Sequence, residues 1–178
     1  MKRLFYVSAS ILILFFILFL ASSARLYPVL KINNNFIWAS DYYGRVSGFE
    51  YYLQTTSEPI DEKEAIRGLI LSFVADNLTK NELLRRGVDS GEAEKRVANA
   101  LLVGGKSLEK ASASLYGWNI EALKKFSLLP QARQDILTEV LQKEGVDFDE
   151  WLLLELPKAD VKIYFLPYKW ENGKLVDK

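Results

Sequence analysis

The residues best suited to chemistry in this chain are carboxylates. Asp147, Asp149, Glu150 and Glu155 gather around Trp151, and Asp61, Glu62 and Glu64 form a second group. Paired carboxylates can share general acid and base work, but acidic side chains in a first helical turn are also what the positive end of the helix dipole favours. Both groups stand at the start of helix-like segments, and their structural role takes precedence. Ser112 and Ser114, in the run Ala-Ser-Ala-Ser, offer hydroxyls without a visible base to activate them. Gly104-Gly105-Lys106-Ser107 is similar to the end of a phosphate loop. The upstream glycine of such a loop is replaced by Ala100, and the segment follows a helix pattern rather than a strand, so a linker and helix start are expected. The chain has no histidine and no cysteine, which removes His-based triads, thiol nucleophiles and the usual zinc ligands. No catalytic residue, metal ligand or cofactor is expected.

What remains is binding by apolar surface. Trp38, Tyr42, Tyr43, Phe49, Tyr51, Tyr52, Trp118, Phe126, Trp151 and Phe165 exceed the aromatic area that a body of this size needs for its core. Aromatic side chains give large contact area with few rotors to freeze, which suits a surface that accepts extended peptides. The candidate peptide-binding residues are Trp38, Tyr42, Tyr43, Phe49, Tyr52 and Trp118. Basic and acidic residues balance at 23 each, so no nucleic-acid partner is expected. Pairs such as Arg85-Arg86 and Lys124-Lys125 fit solvated helix faces.

The elements that must position these side chains begin with an apolar run over 4–21, preceded by Lys2 and Arg3. A spanning helix needs about 20 such residues, so the run predicts a single-pass anchor, with a cytoplasmic N-terminus and an extracytoplasmic body in the cell membrane. The alternative is a signal segment cut near Ala24 and a secreted body. Without cysteine there is no lipid-attachment thiol and no disulfide framework.

Three parts are expected: the anchor or signal over 1–24, a helical domain over 25–166 and a polar tail over 167–178. Tyr27 to Ile32 and Phe36 to Trp38 flank an Asn33-Asn34-Asn35 turn and predict a small hairpin. Ser40 is placed as the cap of an aromatic helix weakened by Gly44 and Gly48, which packing must hold. Asp61, with Glu64 at the capping-box position, opens a long helix that ends at Arg85-Arg86-Gly87. Asp89 or Ser90 opens a third helix, stopped by Gly104-Gly105. A short helix runs from Ser107 to Tyr116, and a longer one is capped by Asn119 and interrupted by Pro130. A last helix starts near Asp147, and Val161 to Leu166 is extended, pairing with the segment around Val29 to Ile32.

This order of elements resembles the N-terminal chaperone domain of the bacterial SurA and PrsA foldases, which is related to the peptide-binding part of trigger factor. Lys31-Ile32-Asn33-Asn34-Asn35-Phe36-Ile37 followed by Ser40-Asp41-Tyr42-Tyr43 is similar to that family's strand, Asn-Gly turn and Ser-x-x-Tyr helix opening. Ile66 to Gly87 with Val88-Asp89-Ser90 is similar to its long helix and the capped helix that follows. Leu115-Tyr116-Gly117-Trp118 with Pro130 resembles a pattern in SurA-like anchored proteins. The resemblance implies a mainly α fold, with the transmembrane helix followed by a SurA-N-like multi-helix domain closed by a small β element from its two ends. It also implies a membrane-anchored, chaperone-like cell-envelope domain that binds unfolded or translocating polypeptides. The family's parvulin isomerase domain has no room here and its histidines are missing, so no isomerase activity is expected. A structural or accessory subunit of an envelope complex, with one dedicated partner, is the alternative. The oligomeric state is left open.

Overall fold

A computed structural model of the chain describes residues 13, 15, 19–20, 22–56, 61–89 and 91–178. Strands β1 (Pro28–Ile32) and β2 (Asn35–Trp38) lead into helices α1 (Ala39–Thr56), α2 (Glu62–Arg85) and α3 (Gly91–Tyr116). A short helix α4 (Ile120–Leu123) passes through a π turn (Lys124–Leu128) into α5 (Leu129–Gln142), and α6 (Phe148–Glu155) follows. The chain closes with β3 (Val161–Ile163), β4 (Tyr168–Glu171) and β5 (Lys174–Asp177). The architecture is mainly helical with two small sheets.

The expected membrane-spanning helix, and with it the single-pass localisation, is overturned. Among the described residues no helix is long and apolar enough to cross a membrane. Of the run 4–21, only Ile13, Phe15, Phe19 and Leu20 fall within the described residues; the rest lies outside them.

The hairpin forms because Asn33 takes the left-handed conformation its turn requires, with φ 51°. The three-stranded sheet has the order β2-β1-β3, and Ile32 of β1 stands opposite both Asn35 and Val161. Asn33 clamps the crossing: its N–H donates to the Asp160 carbonyl at 2.7 Å, and its side-chain oxygen accepts from the Asp160 N–H at 3.1 Å. A register shift between Pro28 and Leu30 turns the two consecutive residues Val29 and Leu30 inward together.

Helix ends follow local chemistry in most places. Asp61 caps α2 by accepting from Lys63 N–H at 2.9 Å. The capping box is not closed, because Glu64 binds Arg67 instead. At the far end Gly87 (φ 72°) makes a Schellman stop, with Val88 N–H on the Leu83 carbonyl and Gly87 N–H on that of Leu84. Asn119 caps α4 and Asp147 caps α6, which assigns the acidic cluster at 147–150 to a helix start. Ser90 lies outside the described residues, and Asp89 accepts from Gly91 N–H at the start of α3.

Two expectations about ends are corrected. Helix α1 starts at Ala39, before Ser40, and needs no side-chain cap. Its first donors, Ala39 N–H and Ser40 N–H, reach the carbonyls of Tyr27 and Arg25 at 2.8 and 3.2 Å. Residues 167–178 are not a polar tail. They form the β4–β5 hairpin around Asn172 (φ 47°) and Gly173 (φ 80°), with Tyr168 buried. Lys63 and Arg67 of α2 hold its Asp177 at 2.8 and 3.0 Å.

Gly105, at φ 48° and ψ −138°, breaks α3 into two arms, 91–104 and 106–116. Pro130 sits in the first turn of α5, and the π turn just before it absorbs the lost donor without ending the helical path. The core lies where α2 and α5 meet, with Ile70, Val74, Leu137 and Leu141 wholly buried in one cluster with Leu30 and Ile32 of the sheet. Arg96 with Glu139 (2.7 and 2.8 Å) ties α3 to α5, and Arg133 with Asp76 ties α5 to α2.

Candidate functional site: an aromatic groove beside helix α1

Helix α1 carries glycine at positions 44 and 48, one turn apart on the same face. The Trp118 indole lies directly on Gly48, where a methyl group would overlap its ring, and a methyl at Gly44 would come within 3.1 Å of the Phe126 ring. Trp118 Nε1 donates to the Gly44 carbonyl at 3.2 Å. The two residues that weaken α1 as an isolated helix are therefore what lets an indole and a phenyl ring seat against its backbone.

The Trp118 turn is fixed from α3. Gly117 takes φ 64°, and Ser112, buried at the start of the last α3 turns, holds the turn twice. Its Oγ donates to the Trp118 carbonyl at 3.2 Å, and its carbonyl accepts from Trp118 N–H at 3.4 Å. Ser112 thus fastens the Trp118 turn to α3. Ser107 Oγ donates to the Gly104 carbonyl, so the Gly-Gly-Lys-Ser segment is an elbow between two helical arms.

From Trp118 a continuous ladder of rings runs in both directions. Phe126 lies 5.5 Å away on one side and Tyr116 4.8 Å on the other. Tyr116 stacks on Tyr52 at 5.4 Å, and Tyr52 on Phe49 at 6.4 Å. The ladder borders an open cavity of about 270 Å³ between α1 and α2. Phe49, Tyr116 and Trp118 line one side of it, Ala65, Gly68 and Leu69 the other, and Arg45 and Ser72 add polar groups. Gly68 leaves the α2 wall without a side chain.

The structure brings Phe49, Tyr52 and Trp118 together and separates them from the other three candidates. Tyr42 is 3% exposed and belongs to the core, edge-on to Tyr43 at 5.1 Å. Burial pushes its hydroxyl up to about 12. Tyr43 is partly buried under the Arg25 guanidinium, 5.0 Å from its ring. Trp38 is exposed on the edge strand β2, where, among the described residues, its ring pairs with Phe36 and with none of the ladder. Tyr42 and Tyr43 fall out because one broad aromatic stripe on α1 covers both its core side and its groove side. Tyr116 and Arg45 are members that sequence reasoning missed, and Phe126, counted in the aromatic surplus, was not among the six candidates. The signal for the first was present in Tyr116-Gly117-Trp118, a glycine between two rings.

Arg45 is the electrostatic centre of this face. It is partly buried with its guanidinium 5.0 Å over the Phe73 ring. Burial lowers its pKa, against the pull of Asp76. Among the described residues no group of three or more His, Cys, Asp or Glu side chains is placed to hold a metal ion. The arrangement can hold apolar side chains against stacked rings, and it can offer a cation beside them.

Comparison with known protein families, with curated proteins and with solved structures finds no match for this chain.

Proposed function

We propose that this chain is a non-catalytic, chaperone-like domain that binds extended or unfolded polypeptide segments in the groove between α1 and α2. The observation that carries the reading is the five-ring ladder from Phe49 to Phe126, of which Phe49, Tyr116 and Trp118 line an open cavity. Stacked rings held by a glycine-faced helix form a rigid apolar wall that loses little entropy when a side chain settles on it. The resemblance of the sequence to the SurA and PrsA chaperone domains points the same way.

The test is suppression of aggregation of an unfolded protein by the full chain, together with binding to a panel of aromatic-rich and aromatic-free peptides. Broad, weak and salt-insensitive binding of the aromatic-rich set is expected. Phe49→Ala should reduce binding several-fold with the melting temperature nearly unchanged, since Phe49 is only partly buried. A stably folded chain that binds none of the panel would refute the reading.

The alternative, a subunit with one dedicated protein partner, draws support from Leu102 and Val103. They are 82% and 90% exposed beside the Gly105 elbow. A single tight partner and no peptide binding would favour it.

A further inference from the structure

Three cavities on this face share one lining residue, Arg45. The apolar cavity of about 270 Å³ lies against the ring ladder. A second, of about 280 Å³, sets Asp41, Asp76, Lys80 and Arg133 beside the rings of Phe73 and Phe126. A third, of about 190 Å³, lies between α2 and the π turn, with Ser72, Thr79 and Pro130 on its walls. Arg45 therefore stands at a junction, with the groove rings on one side and a charge-bearing basin on the other.

The charges of that basin do not balance. Asp41 is taken by Lys125, and Asp76 by Arg133. Among the described residues neither Arg45 nor Lys80 has an ion-pair partner. The Arg45 side chain has no hydrogen bond there either, although it is partly buried and laid over Phe73. A partly desolvated guanidinium with its fork of donors unused is suited to a planar carboxylate.

We propose that Arg45 selects among bound polypeptides by pairing with an acidic side chain, so that the preferred segment carries Asp or Glu close in sequence to its aromatic residues. This rests on the groove-binding reading above. The aromatic part would sit on Phe49, Tyr116 and Trp118, and the carboxylate would reach Arg45. Cavities on both sides of Arg45 give the chain a way in and a way out, which favours an internal acidic residue over a terminal carboxylate.

The experiment uses the full chain and short extended peptides with two aromatic residues followed by glutamate. It compares them with the same peptides carrying glutamine, each with a free or an amidated C-terminus, and reads binding by calorimetry. The glutamate peptide is expected to bind about tenfold tighter than the glutamine peptide, whatever its terminus, with the gap narrowing in high salt. Arg45→Gln should erase the gap, the glutamate and glutamine peptides then binding this variant equally. Arg45→Lys should keep only part of it, since an ammonium lacks the bidentate fork. Equal binding of the glutamate and glutamine peptides to the native chain would overturn the proposal while the groove reading stands. A gap that follows only the free C-terminus would overturn it in favour of a terminal carboxylate. Absence of binding by every peptide would overturn both.

Discussion

Replacing Gly48 with alanine isolates the contact on which the groove is built. The added methyl lands in the Trp118 indole, and forcing a group into a packed site costs about 1–3 kcal/mol. Against this stands the gain of alanine over glycine in a helix interior, about 0.5–1 kcal/mol. If the indole moves away, its bond to the Gly44 carbonyl at 3.2 Å is lost as well, roughly another 1 kcal/mol. The net expectation is destabilisation of about 1–3 kcal/mol. Gly68 supplies the control. It lies in the interior of α2, where a methyl meets nothing within 4 Å. Gly68→Ala should therefore stabilise by about 0.5–1 kcal/mol. Urea denaturation followed by far-ultraviolet circular dichroism gives both midpoints. For a chain of this size each kcal/mol is also about 2–4 °C in melting temperature. Opposite signs for the two variants support the packing described. A Gly48→Ala protein as stable as Gly68→Ala would refute it, because the indole could not then be seated on the α1 backbone.

Two further outcomes follow from particular contacts. Tyr42 holds its proton to about pH 12 in the fold and to about pH 10 when exposed, because burial disfavours the phenolate. Its contribution to stability is thus complete below pH 10 and declines as pH rises toward 12, since the folded state then binds more protons. The loss is on the order of 2 kcal/mol. The stability difference between the native chain and Tyr42→Phe, measured between about pH 9 and pH 12, should follow that decline, and a flat difference would contradict it. Gly173→Ala should cost about 1–3 kcal/mol, because φ is 80° and the methyl would lie 2.8 Å from the Pro157 nitrogen. Hydrogen exchange should then show the β4–β5 hairpin released before the helical core, and unchanged protection would count against its docking.

Local chemistry was legible wherever a single residue type carries the signal. Asp61, Asn119 and Asp147 cap where their side chains follow loop residues and precede apolar periodicity. Gly87 stops α2 at positive φ, and Gly105 breaks α3 where a paired glycine suggests it. The β3 segment, without a neighbour in sequence, meets β1 as chain economy requires. The β4–β5 hairpin was hidden by its polar alternation, although Asn172-Gly173 is among the strongest short-range hairpin signals. Ser40 misled because the helix begins one residue earlier, where its first donors, Ala39 N–H and Ser40 N–H, are met by carbonyls of the preceding segment, a tertiary solution no cap pattern encodes. The aromatic stripe of α1 named the right helix but not the right side. Tyr42 and Phe49 look alike in sequence, and only the positions of the sheet and of Trp118 decide which one faces the core. Arg45 carries no sequence signature at all, since its character comes from what surrounds it and not from its neighbours in the chain.

The central claim is that the ring ladder is a binding wall, and the most direct measurement observes Trp118 itself. The full chain, labelled with 5-fluorotryptophan and assigned through Trp118→Phe, would be titrated with an aromatic-rich extended peptide and followed by fluorine NMR. A saturable shift of the Trp118 resonance, with that of the core residue Trp151 unmoved, is the predicted result. A folded protein whose Trp118 resonance stays fixed at saturating peptide would contradict the account.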